Sequence, residues 1–388
     1  MIYLDNAATT QIAPEVLDAM MPYLTDNFGN AGTLYSLGRK AADAVAHARQ
    51  QVADMLNCSP EQIIFTSGGT EANNLVFSGL QPYLRKIKKT NIITSPIEHD
   101  SVLKAVKKMC TKSVFDATFL KVTKQGKVLS SVVSDSIKSN TGIVSVMHTN
   151  NEIGSINPVG IIGDICKKKK VLFHTDCVQA AGNKELNVKK LGCDFLSLSS
   201  HKIHGPKGVG ALYVKDKTIL TPVINGGEEQ EYGVRGGTEN VAGIIGFGVA
   251  CEIATKNLEY NSEYISKLKA IFCKRLAKEL ESQKFTNDWH INGSSSDAKV
   301  LNIRFNNIDG QTLLLMLDSK GIFISAGSAC RSHNSEPSHV LLNIGLTPDE
   351  ARGSIRISFS HFQSEGEVLV AASEIGKCAA VLMRGFNG

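Results

Sequence analysis

Gln62-Ile63-Ile64-Phe65-Thr66 runs without a break into Ser67-Gly68-Gly69-Thr70-Glu71. The first five residues are short, apolar and β-branched; the next five are a glycine turn that opens a helix. A strand turning through glycines into a helix is the repeating unit of an α/β fold. Upstream, Gly38 to Leu56 places Ala41, Val45, Ala48, Val52 and Met55 at spacings of three and four, which predicts an amphipathic helix. Downstream, short apolar runs recur at Asn91–Ser95, Ile143–Met147, Val171–His174, Phe195–Leu198 and Val209–Val214, most of them separated by helical or loop segments. This alternation predicts a mostly parallel sheet covered on both faces. Only Ser199 to Gly208 joins the last two runs, too short for a crossover, so that pair is expected to be antiparallel.

Past about residue 258 the texture changes. A charged helix near Asn261 to Gln283 precedes new strands at Val300–Phe305, Ile322–Ser325 and Ser354–Ser358. The reading is a large domain over 13–258 and a smaller α+β domain over 259–388, joined by residues 1–12, which are too short to fold alone. A length of 388 residues suits two such domains.

Composition removes several classes. Hydrophobic residues make up 42% and charged residues 20%, an ordinary globular balance that excludes disordered and fibrous chains. A net charge of +5 over this length argues for neither a direct nucleic-acid partner nor a membrane surface. No signal segment opens the sequence, and the longest clean apolar run, Val241 to Cys251, is far short of the ~20 residues of a membrane span, so a cytoplasmic protein is expected. Nine cysteines, an odd number with no CxxC pair, fit a reducing compartment better than a disulfide framework.

Four constellations carry chemistry. Ser67 to Glu71 aims backbone N–H groups at an anion, with the Thr70 hydroxyl beside them; a plain helix cap reads equally well from these residues alone. Ser199-Ser200-His201-Lys202-Ile203-His204-Gly205-Pro206-Lys207-Gly208 follows a strand, where open α/β sheets bind ligands. A desolvated lysine there can form a Schiff base, and Ser199 and His201 add phosphate donors. Asp176, at a strand end 26 residues before Lys202, can hold a protonated ring nitrogen or merely cap the next helix. Lastly, Ser325 to Pro337 sets Cys330 among small and polar residues, with Arg331 and His333 to favour thiolate. Cys330, His333 and His339 match no standard zinc spacing, and no metal is expected.

Together these motifs resemble the cysteine desulfurases, the NifS-like, long-cysteine-loop branch of the fold-type I pyridoxal phosphate enzymes in the class V aminotransferase family. The likeness spans nearly the whole chain: Tyr3-Leu-Asp-Asn-Ala-Ala-Thr-Thr10, Ser67-Gly-Gly-Thr-Glu71, Glu98-His99, Asn150-Asn-Glu-Ile-Gly154, Asp176 with Gln179, Ser199 to Gly208, Arg235-Gly-Gly-Thr-Glu-Asn240, Gly327-Ser-Ala-Cys330 and Ser354-Ile-Arg356. The resemblance implies a seven-stranded large-domain sheet and a small domain carrying the cysteine loop at about 325–340. It implies pyridoxal 5'-phosphate on Lys202, with Asp176 at the ring nitrogen, Gln179 at the phenolic oxygen and His99 stacked on the ring as a proton-transfer group. Gly69, Thr70, Ser199 and His201 would hold the phosphate. Thr238 would come from a neighbouring subunit, so a homodimer is implied. Asn151 and Arg356 would take the carboxylate of L-cysteine, and Asn151 would also border the cofactor. Cys330 would accept the sulfur as a persulfide, leaving L-alanine, and pass it to a protein acceptor in iron–sulfur assembly, tRNA thiolation or DNA phosphorothioation.

Three stretches depart from the family pattern. Ala31 to Tyr35 replaces Pro-Ser-Ser-x-His, Ser200 stands where glycine or alanine is common, and Ser360-His361 replaces a frequent Gly-Arg. A selenocysteine lyase, another fold-type I enzyme, or a non-catalytic partner protein that binds the cofactor are the alternatives. The thiol at Cys330 argues against an aminotransferase, and the full set of expected catalytic residues argues against a non-catalytic role.

Overall fold

The computed structural model describes residues 1–111, 114–294, 299–326 and 336–386. Its strands in chain order are β1 (Ile2–Tyr3), β2 (Ile63–Thr66), β3 (Asn91–Thr94), β4 (Asp116–Phe119), β5 (Thr141–Ser145), β6 (Leu172–Asp176), β7 (Phe195–Ser199), β8 (Gly210–Val214), β9 (Trp289–Asn292), β10 (Val300–Phe305), β11 (Ile322–Phe323), β12 (Ser325–Ala326) and β13 (Ser354–Ser358). Seven of them form one sheet in the order β2-β8-β7-β6-β5-β3-β4. Pairs from β4 through β7 are parallel, while β8 runs antiparallel between β7 and β2. The antiparallel edge expected from the short Ser199–Gly208 link is therefore present. Strand β4 gave no sequence signal, because it is an edge strand with the half-exposed pattern Asp-Ala-Thr-Phe rather than an apolar run.

Helices cover both faces, as buried parallel strands require. Helix Ser36–Leu56 buries Val45, Ala48, Val52 and Leu56 on one core, and helix Gly69–Lys86 buries Leu75, Val76, Phe77 and Leu80 on another. The exposed edge of β2 is closed by side chains. Glu231 accepts from the Phe65 amide at 2.7 Å and pairs with Arg49 at 2.6 Å, while Arg49 donates to the Ile63 carbonyl at 2.7 Å. An edge strand treated this way offers no free ladder to another chain.

A second sheet, β12-β13-β10-β9, is antiparallel throughout. Its core gathers Leu268, Phe272 and Leu276 of helix Leu258–Ser282 with Ile355, Ile357 and the inner face of helix Glu365–Phe386. The chain's first residues belong to this core. Strand β1 pairs with β11, Leu4 is fully buried in it, and Ser358 donates to the Leu4 carbonyl at 2.7 Å. The run expected as one strand over Ile322–Ser325 splits, with β11 serving β1 and β12 serving β13. Helix Val241–Lys256 meets helix Leu258–Ser282 at a 75° bend. Among the described residues no single helix is long and apolar enough to cross a membrane.

Candidate active site

Two adjacent parallel strands place the central pair. Strand β6 ends at Asp176 and β7 at Ser199, and their register sets Asp176 opposite Ser197. A single turn, Ser200–Lys202, follows β7. The Lys202 amine donates to the Ala7 and Ala8 carbonyls at 2.6 and 2.7 Å. Burial, with the Arg356 charge second, lowers its pKa to about 8. Removing an ammonium from water disfavours its charged form, and a reactive amine needs that shift.

Asp176 is buried and accepts from the Val178 amide at 3.0 Å and from Asn73 Nδ2 at 2.8 Å. The Asn73 amide also donates to Ser101 Oγ at 2.8 Å, and Ser101 Oγ lies 2.7 Å from His99 Nδ1. His99 caps helix Asp100–Cys110, its Nδ1 accepting from the Ser101 amide at 3.1 Å. With Nδ1 held as an acceptor, the neutral ring carries its proton on Nε2. The helix-start position of His99 is thus also one end of the network that reaches Asp176. Asn73 and Ser101 drew no attention in the sequence; an Asn four residues into a helix and a Ser after a cap carry no signal until the strands bring them to Asp176.

The glycine turn lies over the end of β7. Gly68 has φ +150°, in the region that favours glycine, and a side-chain carbon there would come within 3.7 Å of Ser199 Oγ. Such a carbon on Gly69 would sit 2.7 Å from Val178 Cγ2, so nothing larger fits. Thr70 is exposed at the helix start and Ser199 is buried beside the turn. His201 bonds Thr9 Oγ1 through Nδ1 at 3.1 Å, and burial lowers its pKa to about 4, so it is neutral. Gln179 donates to the Ala7 carbonyl at 2.9 Å, while its Oε1 is buried without a partner among the described residues, as is Ser200 Oγ.

The second sheet faces this group with Arg356 from the middle of β13. Its Nη2 reaches Asp5 Oδ1 at 2.8 Å and Ser325 Oγ at 3.0 Å, and its Nη1 donates to the Asn151 carbonyl at 3.0 Å. His99, Asn151, Ser325 and Arg356 line one cleft. Asp5 is a further residue the sequence reading passed over, hidden inside the Tyr3–Thr10 motif. Glu98, fully buried, accepts from Ser95 Oγ and the Met147 amide, and burial raises its pKa to about 8. Thr238 is exposed, on a loop tied back to the glycine turn by the Arg235–Glu71 pair at 2.9 Å.

Eight cysteines are free thiols. Burial pushes those of Cys58, Cys166 and Cys193 up to about 12 and that of Cys177, beside Asp176, well above its ordinary value. Cys177 is an inert core thiol. Cys330, with Arg331 and His333, lies outside the described residues.

A lysine of lowered pKa and a buried carboxylate on neighbouring strand ends, beneath a glycine-lined helix start, define a site for a pyridinium cofactor with an anionic tail. The sequence profile of the aminotransferase class-V family matches residues 2–370. A protein described as cysteine desulfurase IscS, from Clostridium botulinum, is 43% identical over 371 residues, covering 95% of this chain and 91% of that one. Among solved structures, one described as a NifS-like protein superposes with a TM-score of 0.87 at 34% identity, covering 97% and 98% of the two chains. Another, described as SspA in complex with cysteine, gives 0.78 at 35% identity over 94% and 100%. The chain belongs to the aminotransferase class-V family, whose members depend on pyridoxal phosphate. The residues present fit that group: Lys202 offers an amine of lowered pKa, Asp176 a buried carboxylate, and Gln179 and Ser200 unpartnered polar atoms.

Proposed function

We infer that this enzyme is a pyridoxal-phosphate-dependent cysteine desulfurase that converts L-cysteine to L-alanine and carries the sulfur as a persulfide on Cys330. The observation that carries the reading is the Lys202–Asp176 pair on adjacent strand ends, with Arg356 facing it from the second sheet. The named relatives and the cysteine-bound neighbour support the same activity.

Lys202 would carry the cofactor through its amine, and Asp176 would hold the ring nitrogen protonated. Gln179 keeps a second N–H for the phenolic oxygen, because only one goes to Ala7. Gly69, Thr70, Ser199 and His201 would receive the phosphate, a neutral His201 acting as hydrogen-bond donor rather than cation. Bound pyridoxal phosphate supplies the electron sink that weakens the substrate's C–S bond. Arg356 and Asn151 would orient the substrate carboxylate; three of the five Arg356 N–H groups are engaged in the structure, and of the other two Nε–H is buried without a partner among the described residues. Lys202 and the Nε2 proton of His99 would serve the proton transfers at the substrate carbons. The Cys330 thiolate would take the substrate sulfur, forming an S–S bond as the C–S bond breaks, and hand it to a protein acceptor.

A homodimer suits two features. Thr238 is exposed where it can serve a second copy, and Leu17, Met21, Leu24 and Phe28 expose apolar surface along and beyond helix Pro14–Leu24. A division into 13–258 and 1–12 with 259–388 is supported by the separate cores and by the seating of Leu4 in the second one. The free thiols favour a cytoplasmic setting. The activity is tested by incubating holoenzyme with L-cysteine and a reducing thiol. Alanine and sulfide should appear in equal amounts, and Cys330→Ala should keep the cofactor's visible absorbance and lose sulfide release. Normal turnover by Cys330→Ala would remove Cys330 from the reaction.

A further inference from the structure

Lys202 also lines a second cavity, of about 240 Å³, walled by loops that flank the strands and by helices Pro14–Leu24, Val241–Lys256 and Leu258–Ser282. That is far more than the ~15 Å³ one water requires. Its wall is mainly apolar, with Val16, Ile203, Ala250, Ile253 and Phe359 among its lining residues. Into it comes Lys299, only 4% exposed. Its amine donates once, to the Lys202 carbonyl at 2.9 Å, and no carboxylate pairs with it among the described residues. Burial and the charges of Lys202 and Arg356 lower its pKa to about 7.

A cation enclosed without a counter-ion is unfavourable unless it deprotonates or meets an anion. The surroundings leave room for the second route as well as the first. His361 makes no hydrogen bond among the described residues, and its ring lies against His204 at 4.8 Å between centroids. His204 is fully engaged, through Nδ1 to the Gln11 carbonyl at 2.9 Å and through Nε2 to Ser360 Oγ at 3.1 Å. Ser360 and His361 are two of the positions at which the chain departs from the family pattern. Asn261 adds a buried amide to the wall. Glu15 is the one carboxylate among the cavity's lining residues, and it is exposed.

We propose that this cavity binds a small organic carboxylate, its head held by Lys299, His361 and Asn261 and its short apolar tail lying on Ala250 and Ile253. An apolar wall around the buried Lys299 amine suits such an amphipathic anion better than a fully hydrated inorganic one. The bound anion would lie against Lys202, itself a lining residue whose carbonyl accepts from Lys299, without entering the cleft of His99 and Arg356, with which the cavity shares no lining residue.

The test is calorimetric titration of the holoenzyme with sodium butyrate, and separately with sodium sulfate, in an Arg356→Leu background that removes the substrate's own carboxylate partner. It requires no turnover, so its outcome is independent of the desulfurase reading. Saturable binding of one butyrate per chain is expected, weakened at least ~10-fold by Lys299→Met, an exchange for an apolar side chain that buried sites often tolerate. Should that variant not fold, His361→Ala replaces it, with a weakening of about fivefold expected. Absence of saturable butyrate binding, unchanged affinity in the folded variant, or saturation by sulfate where butyrate does not bind would overturn the proposal.

Discussion

Asp176 and Lys202 stand at the ends of neighbouring strands in the large sheet, whereas Arg356 sits mid-strand in the small one and is held by the Asp5 carboxylate. The first pair is fixed by backbone: strand register, a single helical turn, and carbonyls of the N-terminal segment that receive the amine. The second is fixed mainly through side chains, an ion pair to Asp5, one hydroxyl contact to Ser325 and one backbone carbonyl of Asn151, drawn from three segments of the chain. In the proposed reading, backbone placement would give the cofactor a rigid seat. Side-chain placement would give a cation able to release or share its partners for the proposed substrate carboxylate. The two regions should therefore fail differently when altered.

The largest effect should come from Lys202→Ala, which removes the amine and is expected to lower turnover by about 10³-fold or more. Visible absorbance of the bound cofactor should shift at the same time. Asp176→Asn keeps the shape and removes the charge; a loss of about 10²-fold in kcat is expected, the scale of one charge-assisted hydrogen bond, with a displaced absorbance maximum. If either variant altered KM alone, the backbone-fixed region would not be the seat of the chemistry. Arg356→Leu should do the reverse, raising KM for cysteine by roughly 10- to 100-fold while leaving the cofactor spectrum in place. A lost spectrum in Arg356→Leu would erase the contrast between the regions.

The lowered pKa of Lys202 sharpens the comparison. Only the neutral amine attacks the cofactor's aldehyde. The rate at which apoenzyme regains absorbance on mixing with pyridoxal phosphate should therefore fall about tenfold per pH unit below pH 8, and level off above it. A free-lysine value would instead let the rate climb through pH 10. The smallest effect belongs to Asn73→Ala, which breaks the relay from Asp176 through Ser101 to His99. A fall of roughly 3- to 10-fold in kcat is expected, with a shifted pH profile and a normal KM.

Much of the cofactor side was legible in the sequence, and little of what supports it. Strand, glycine turn and helix around Ser67–Glu71 are written in local residue types, and so is Asp176 at a strand end. The short link after Phe195–Leu198 announced the antiparallel partner through its length alone. By contrast β4 was hidden because an edge strand needs no apolar run, and the Ile322–Ser325 run concealed a switch of pairing partner at its middle. Asn73, Ser101 and Asp5 became visible only in space, since the contacts that tie them to the site, Asn73 to Ser101 and Asp5 to Arg356, span 28 and 351 residues. The relation of Lys299 to Lys202 is of the same kind, separated by 97 residues. Cys330 was read from its loop composition and lies outside the described residues.

The central claim is that sulfur leaves free cysteine and resides on Cys330. Its most direct measurement is mass spectrometry of the peptide containing Cys330 after holoenzyme meets one equivalent of sulfur-labelled L-cysteine with no reducing thiol. A gain of one labelled sulfur atom on that peptide is expected, matched by one alanine released. Label on Cys58, Cys177 or another of the eight remaining cysteines, or alanine formed with no label on Cys330, would contradict it.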